Sequence, residues 1–277
     1  MEHFEGIFRG VRDHKIYYQA YLPKAKTKGS IIVVHGLGEH SGRYDNVVNY
    51  LVPQGFAIYG FDLLGHGKSD GEREFVHQYE DFTETLTIYK NKVKSWQPGK
   101  PQFLLGHSMG GLIASEYLID HSHEFNGAII SAPLITVPDN INKLTIFTGK
   151  IFSIIAPKMG ITGIDPRAIS RDPEVVDDYI NDPLVYKGKT TARLSVELLK
   201  AILRVNEEVD KIHVPFIVLQ GSEDRLVNPQ GAKMLHRRAG SEDKVIKMYD
   251  GLYHEVFNEP EKDKVLLDVV RWLNARL

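Results

Sequence analysis

The segment 106–110 reads Gly-His-Ser-Met-Gly and directly follows a mostly apolar run at 102–105. A serine between two glycines at the end of a strand is typical of a nucleophile elbow, a turn too sharp for bulky neighbours. The apolar residues at 112–119 then predict a helix, so the Ser108 hydroxyl is expected at a helix N-terminus, where backbone N–H groups favour developing negative charge. Because a lone Gly-x-Ser-x-Gly also arises by chance, the rest of the chain must supply the context.

A general base and an orienting acid are placed by their order in the chain. In α/β-hydrolases both follow the nucleophile, the acid first and the histidine second, each in a loop after a strand. The apolar run 216–220 predicts a buried strand, and Asp224 lies in the loop after it. The next predicted strand is followed by a loop that carries His254, so we predict Asp224 as acid and His254 as base. Since spacing does not separate adjacent carboxylates, Glu223 remains an alternative acid and Glu255 a supporting group.

Two backbone N–H groups are predicted to bind the oxyanion. In this fold one belongs to the residue after the nucleophile, here Met109, and the other to a loop after an earlier strand. The run 31–34 predicts that strand, and the glycine-rich loop after it offers Leu37 as the second donor. His35 and His40 match no zinc spacing and the chain has no cysteine, so we interpret them as turn-bracing and predict no metal site.

Seven segments carry a family resemblance, and among them residues 39–44 and the aspartate–proline pairs at 172–173 and 182–183 are more specific than the elbow motif. The seven segments are 35–44, 62–71, 106–111, 170–173, 181–185, 221–224 and 254–259. On these motifs the chain resembles the monoacylglycerol lipase and lysophospholipase branch of the serine α/β-hydrolases, over almost its whole length. The resemblance implies Ser108, Asp224 and His254 as the catalytic triad. It also implies Leu37 and Met109 as the oxyanion hole.

Both the resemblance and the apolar patterning predict an α/β-hydrolase fold: a mostly parallel central sheet flanked by helices, with an inserted helical cap. An antiparallel hairpin is expected first, at 5–11 and 15–22, and further strands at 30–34, 57–61, 102–105, 128–131, 216–220 and 245–249. Helices are expected at 43–54, 78–95, 111–121, 229–239 and 260–275. The alternation of strands and helices stops between residues 134 and 206. These roughly seventy residues are longer than an ordinary connection between a strand and a helix. We therefore predict a core of residues 1–134 and 206–277 and a cap of residues 135–205.

The predicted cap contains an amphipathic segment. Its apolar residues recur at roughly helical spacing, with lysines around them, and are Leu144, Phe147, Ile151, Ile154 and Ile155. The simpler interpretation is a helix packed on the core. The functional hypothesis, suggested by the family resemblance, is that Phe147 and Ile151 bind substrate or that the stripe contacts a membrane or lipid aggregate. A dozen residues are too few to cross a bilayer, so such contact would be interfacial.

Composition excludes other classes of protein. A net charge of -2 lacks the basic footprint of a nucleic-acid binder, so no nucleic-acid partner is expected. The 277 residues, 42% of them hydrophobic, can bury one large core. Since no export signal and no run of about eighteen apolar residues is found, we expect a soluble, cytoplasmic protein that lies at most peripherally on a membrane.

The resemblance implies hydrolysis of the ester bond of monoacylglycerols to glycerol and a free fatty acid, through an acyl-enzyme on Ser108 and without metal or organic cofactor. A lysophospholipase or a general carboxylesterase would use the same triad on a different leaving group. A non-catalytic receptor built on a hydrolase fold is the alternative from another class, but such receptors usually lack a member of the triad.

Overall fold

The computed structural model describes residues 1–137 and 152–277. The strands in this part of the chain are β1 (Glu2–Arg9), β2 (Lys15–Leu22), β3 (Gly29–Val34), β4 (Phe56–Phe61), β5 (Gln102–His107), β6 (Gly127–Ser131), β7 (Gly160–Thr162), β8 (Thr190–Thr191), β9 (Phe216–Gly221) and β10 (Lys244–Tyr249). The α-helices are α1 (Asp45–Leu51), α2 (Glu80–Trp96), α3 (Met109–His121), α4 (Pro173–Asn181), α5 (Ala192–Glu208), α6 (Gln230–Arg238) and α7 (Lys262–Asn274).

Eight strands form one sheet in the order β1-β2-β4-β3-β5-β6-β9-β10, while β7 and β8 pair separately. Strand β2 runs antiparallel to both β1 and β4, and every other neighbouring pair in the main sheet is parallel. Parallel pairing requires crossover connections, which place helices over the faces of the sheet. The predicted fold, a mostly parallel sheet flanked by helices, is confirmed.

The central strands are buried on both faces, as their continuous apolar sequences predict. In β3, Ile32 and Val34 join one apolar cluster and Ile31 and Val33 join the other, because successive side chains point to opposite faces. Side chains from α2, α3, α5 and α6 complete the first cluster. Those from α1 and α7 complete the second. This two-sided burial fixes the sheet as the platform on which the loops at its edge are held.

Two predicted elements, the strand at 5–11 and the helix at 43–54, differ from the observed ones by two or three residues at both ends. The first strand begins at Glu2 and ends at Arg9, because a 3-10 turn at Val11–Asp13, with Arg12 at a φ of 50°, reverses the chain. The helix predicted at 43–54 is shorter, because a 3-10 turn at Ser41–Tyr44 precedes α1. The His40 side chain caps that turn by accepting a hydrogen bond from the Gly42 N–H. Local hydrogen bonding therefore overrides the apolar period at both places.

The segment between β6 and β9 contributes no strand to the main sheet in its described residues. It contains β7, α4, β8 and α5, and each helix begins with a side-chain cap: Asp172 accepts from the Glu174 N–H, and Thr191 accepts from the Leu194 N–H. The division into a core and a cap at 135–205 stays a prediction. Phe147 and Ile151, predicted to bind substrate, lie outside the described residues. No helix in the described ranges is long and apolar enough to cross a membrane.

Candidate active site

Ser108 lies in a strained turn between β5 and α3. Its φ of 55° is rare for a residue with a side chain, and three backbone hydrogen bonds hold it. The Ser108 N–H donates to the Ser131 carbonyl at 2.9 Å, and the Ser108 carbonyl accepts from the N–H groups of Leu112 at 3.0 Å and Leu134 at 3.1 Å. A Cβ added to Gly110 would lie 2.0 Å from the Val34 carbonyl oxygen. The second glycine of the elbow is therefore required for α3 to start this close to β3.

Asp224 and His254 form a buried hydrogen-bonded pair. Asp224 Oδ2 lies 2.8 Å from His254 Nδ1, and Asp224 Oδ1 accepts from the N–H groups of Leu226 at 2.9 Å and Val227 at 3.1 Å. Burial opposes ionisation of Asp224, but His254 and these donors hold its pKa below the usual range. Glu223, the alternative acid, is exposed. The geometry thus favours Asp224 over its neighbour as the partner of His254.

Ser108 and His254 line the same cavity of about 280 Å³, and Leu37 of the loop after β3 lines it too. Four of the five predicted residues therefore converge, since Asp224 bonds to His254 behind the cavity wall. Most of the remaining wall is apolar and is formed by Leu134, Ile164, Ile169, Leu198, Leu199, Ile202, Leu226 and Val227. The other polar residues of the wall are Glu39, His107, Thr162, Tyr179, Thr190, Ser195 and Glu255.

The loop that carries Leu37 is held by hydrogen bonds on both sides of Gly36. The Gly36 N–H donates to Glu39 Oε1, and His35 Nδ1 lies 2.7 Å from the Gly36 carbonyl. His35 Nε2 accepts from the Leu63 N–H at 2.9 Å, so the ring is neutral and donates through Nδ1. Burial holds the pKa of His35 well below its usual range, which agrees with a neutral ring. The turn-bracing interpretation of His35 is confirmed.

Met109 is the first residue of α3, so its N–H has no acceptor within the helix. Its side chain is fully buried, which fixes the backbone next to Ser108. The pairing of Leu37 and Met109 as oxyanion donors stays a prediction. Among residues 1–137 and 152–277, no group of three or more histidine, aspartate or glutamate side chains is placed to hold a metal ion.

A buried ion network around Arg43 was missed from the sequence. Arg43 Nη1 and Nη2 donate to the two carboxylate oxygens of Glu255 at 2.6 and 2.9 Å, and Nη1 lies 3.2 Å from Glu39 Oε2. Burial disfavours a charged Glu255, yet the Arg43 guanidinium lowers the pKa of Glu255 to about 2. Since Glu39 holds Gly36 and Glu255 follows His254, Arg43 joins the predicted oxyanion loop to the histidine loop.

His107 packs directly against the candidate base. Its ring centroid lies 4.7 Å from that of His254, and its Nδ1 lies 3.1 Å from Ser131 Oγ. Burial, and secondarily the nearby His254, lower the pKa of His107 to about 3. His107 is therefore neutral at physiological pH and presents an uncharged surface to His254. The sequence offered no signal for this contact, because the variable position of the elbow motif accepts many residues.

Comparison with known proteins agrees with this geometry. The family described as serine aminopeptidase S33 matches residues 25–261. A monoacylglycerol lipase from Mycolicibacterium smegmatis is 34% identical, over 99% of this chain and 98% of its own length. The human monoglyceride lipase is also 34% identical, over 94% of this chain and 87% of its own. The crystal structure of a monoacylglycerol lipase from Paleococcus ferrophilus, 28% identical, superposes with a TM-score of 0.84 and full coverage of both chains.

The chain therefore belongs to the family of serine α/β-hydrolases that includes these monoacylglycerol lipases, as the resemblance of its motifs implied. The match at residues 25–261 includes the elbow and both loops that carry the buried pair, since Ser108, Asp224 and His254 all lie inside it.

We expect Asp224→Asn to leave the protein folded and to lower kcat about 10⁴-fold, because an amide no longer stabilises the tautomer in which His254 accepts a proton from Ser108. The exposed neighbour provides the control: Glu223→Gln should keep kcat within about twofold of the wild type. Steady-state hydrolysis of a soluble ester, with thermal unfolding as a check on folding, measures both. Equal losses in the two variants would exclude Asp224 as the orienting acid.

Proposed function

We propose that this protein is a monoacylglycerol lipase, which hydrolyses the ester bond of a monoacylglycerol to glycerol and a free fatty acid through an acyl-enzyme on Ser108. The observation that carries the proposal is the convergence of Ser108 with the buried Asp224–His254 pair on one largely apolar cavity. The names of the family members that match nearly the whole chain support the same substrate class.

Acylation begins when Ser108 Oγ attacks the ester carbonyl and His254 Nε2 accepts its proton. Nδ1 of His254 is already committed to Asp224, so Nε2 is the nitrogen that remains for the reaction. The N–H groups of Leu37 and Met109 stabilise the oxyanion, and each such donor is worth about 10²-fold to 10³-fold in rate. His254 then protonates the departing glycerol oxygen, which leaves the fatty acyl group on Ser108.

Deacylation repeats these steps with water. His254 takes a proton from a water molecule as the water oxygen attacks the acyl carbonyl, and the proton passes to the Ser108 oxygen as the fatty acid leaves. The residues named for these steps complete both half-reactions by proton transfer, addition and elimination, so neither step calls for a cofactor.

The wall of the cavity supports an amphiphilic ester as substrate. A monoacylglycerol joins a long apolar chain to a small head with two hydroxyl groups. The apolar residues of the wall, several of them from α5, match the chain, and the polar side chains of Glu39, Tyr179 and Thr190 offer partners for the hydroxyls.

Fatty-acid release from monoacyl-, diacyl- and triacylglycerols and from a lysophospholipid, with varied chain length, tests the substrate class. We expect rapid release from monoacylglycerols and at least about 10⁴-fold less with Ser108→Ala, because the acyl-enzyme can no longer form. Activity confined to lysophospholipids or to short esters would assign the same triad to a lysophospholipase or a carboxylesterase instead.

We also propose that the protein contacts lipid surfaces through an exposed apolar stretch, which comprises Phe152, Ile154, Ile155, Met159 and Ile161. Ile154 and Ile155 are 75% and 76% exposed, which is unusual for isoleucine. The stretch runs directly into Thr162, Gly163 and Ile164, which line the cavity. Contact there would place the cavity close to substrate dissolved in a membrane or a lipid aggregate.

The double substitution Ile154→Glu with Ile155→Glu should weaken association with phosphatidylcholine vesicles by about tenfold or more, since burying each isoleucine contributes roughly 1.5–3 kcal/mol when complete. Hydrolysis of a freely dissolved short ester should not change. Ile7→Glu, at an isoleucine that is 63% exposed on the edge strand β1, is the matched control. Vesicle flotation that does not distinguish these variants from the wild type would contradict the proposal.

A further inference from the structure

Gln220 is the single polar side chain with hydrogen-bonding groups in β9, whose sequence is otherwise Phe-Ile-Val-Leu followed by Gly221. It is fully buried, and β9 lies inside the sheet between β6 and β10. A buried amide in an apolar strand is unfavourable unless it has hydrogen-bond partners. Its partner is Asp224: the amide Nε2 donates to Asp224 Oδ2 at 2.8 Å.

This bond completes the set of donors around the Asp224 carboxylate. Oδ2 accepts from both Gln220 Nε2 and His254 Nδ1, each at 2.8 Å. Oδ1 accepts from the Leu226 and Val227 N–H groups. A carboxylate has about four lone-pair sites, and here each has a donor. Rotation of the carboxylate would break several of these bonds together, so its orientation toward His254 is fixed.

The orientation of the Gln220 amide is also determined. Its Oε1 is buried and has no hydrogen-bond partner within the described part of the chain, while Nε2 lies close to both Asp224 Oδ2 and the Gly221 carbonyl, the latter at 3.2 Å. Rotating the amide by 180° would place Oε1 against two acceptors. The side chain therefore leaves one buried oxygen unpaired in order to donate to Asp224, and such an unpaired group calls for a functional explanation.

We infer that Gln220 is a positioning residue for catalysis, which holds Asp224 Oδ2 in line with His254 Nδ1 and so keeps His254 aimed at Ser108. The inference rests on the proposed triad and adds to it a fourth side chain that does not touch the substrate. Its effect is transmitted through Asp224 and belongs to the chemical step, because Gln220 does not line the cavity.

Gln220→Met removes the donor and keeps the length of the side chain. On a soluble activated ester we expect kcat to fall about tenfold or more, the lower end of the range for a hydrogen bond to a charged group, with KM unchanged. Gln102→Met is the matched control, since Gln102 is a buried glutamine at the start of β5 whose amide contacts the Lys90 carbonyl. It should leave kcat unchanged. If Gln220→Met does not fold, Gln220→Leu also removes the donor and leaves an apolar side chain in the apolar strand, and it should lower kcat to a similar extent.

A double-mutant cycle separates positioning from a general structural role. In the Asp224→Asn background, Gln220→Met should cost less than about twofold, because the group through which it acts is already lost. The downfield proton resonance of the His254–Asp224 bond should shift in Gln220→Met and stay in place in Gln102→Met. This readout needs no activity, so it tests the inference even if the wild type proves not to be a hydrolase. The inference would be overturned if the kcat losses of Gln220→Met and Asp224→Asn multiply in the double variant and the proton resonance does not shift. A wild type without Ser108-dependent activity would instead contradict the proposed function.

Discussion

Close backbone contact at two glycines determines where the reactive groups can lie. At Gly110, α3 meets the end of β3, where an added Cβ would lie 2.0 Å from the Val34 carbonyl oxygen. At Gly221, the end of β9 meets the histidine loop, where an added Cβ would lie 2.1 Å from the Tyr253 carbonyl oxygen. The first contact brings the elbow to the predicted oxyanion loop, and the second brings the acid loop to the histidine loop. Because the strands are parallel, all four loops leave the same edge of the sheet.

Buried carboxylates then hold these loops to each other and to the segment between β6 and β9. Glu255 joins the histidine loop to Arg43. Glu259 accepts from the Tyr253 N–H in the same loop and from the Arg171 backbone N–H and Nε. Since an unpaired buried charge is strongly destabilising, each carboxylate keeps its loop fixed only while its partner is present. The loop that carries His254 is therefore tied both to the predicted oxyanion loop and to residues of the predicted cap.

The sequence predicted the parts of this arrangement that have local signals. The elbow is a short motif, apolar runs mark the buried strands, and chain order placed Asp224 and His254 after the correct strands. Contacts between distant residues have no such signal: Arg43 and Glu255 are 212 positions apart, and the donor role of Gln220 depends on which way its amide faces. Strand and helix ends were also misplaced, because 3-10 turns near residues 12 and 42 depend on local hydrogen bonds rather than on apolar period.

The central claim is that Ser108 is a nucleophile activated by the buried pair, and covalent labelling tests it most directly. The protein would be treated with a fluorophosphonate, which reacts with activated serines, and the adduct located by peptide mass mapping. We expect one adduct, on Ser108, absent from Ser108→Ala. Labelling of another serine, such as Ser195 on the cavity wall, or no labelling of the folded protein, would contradict the account.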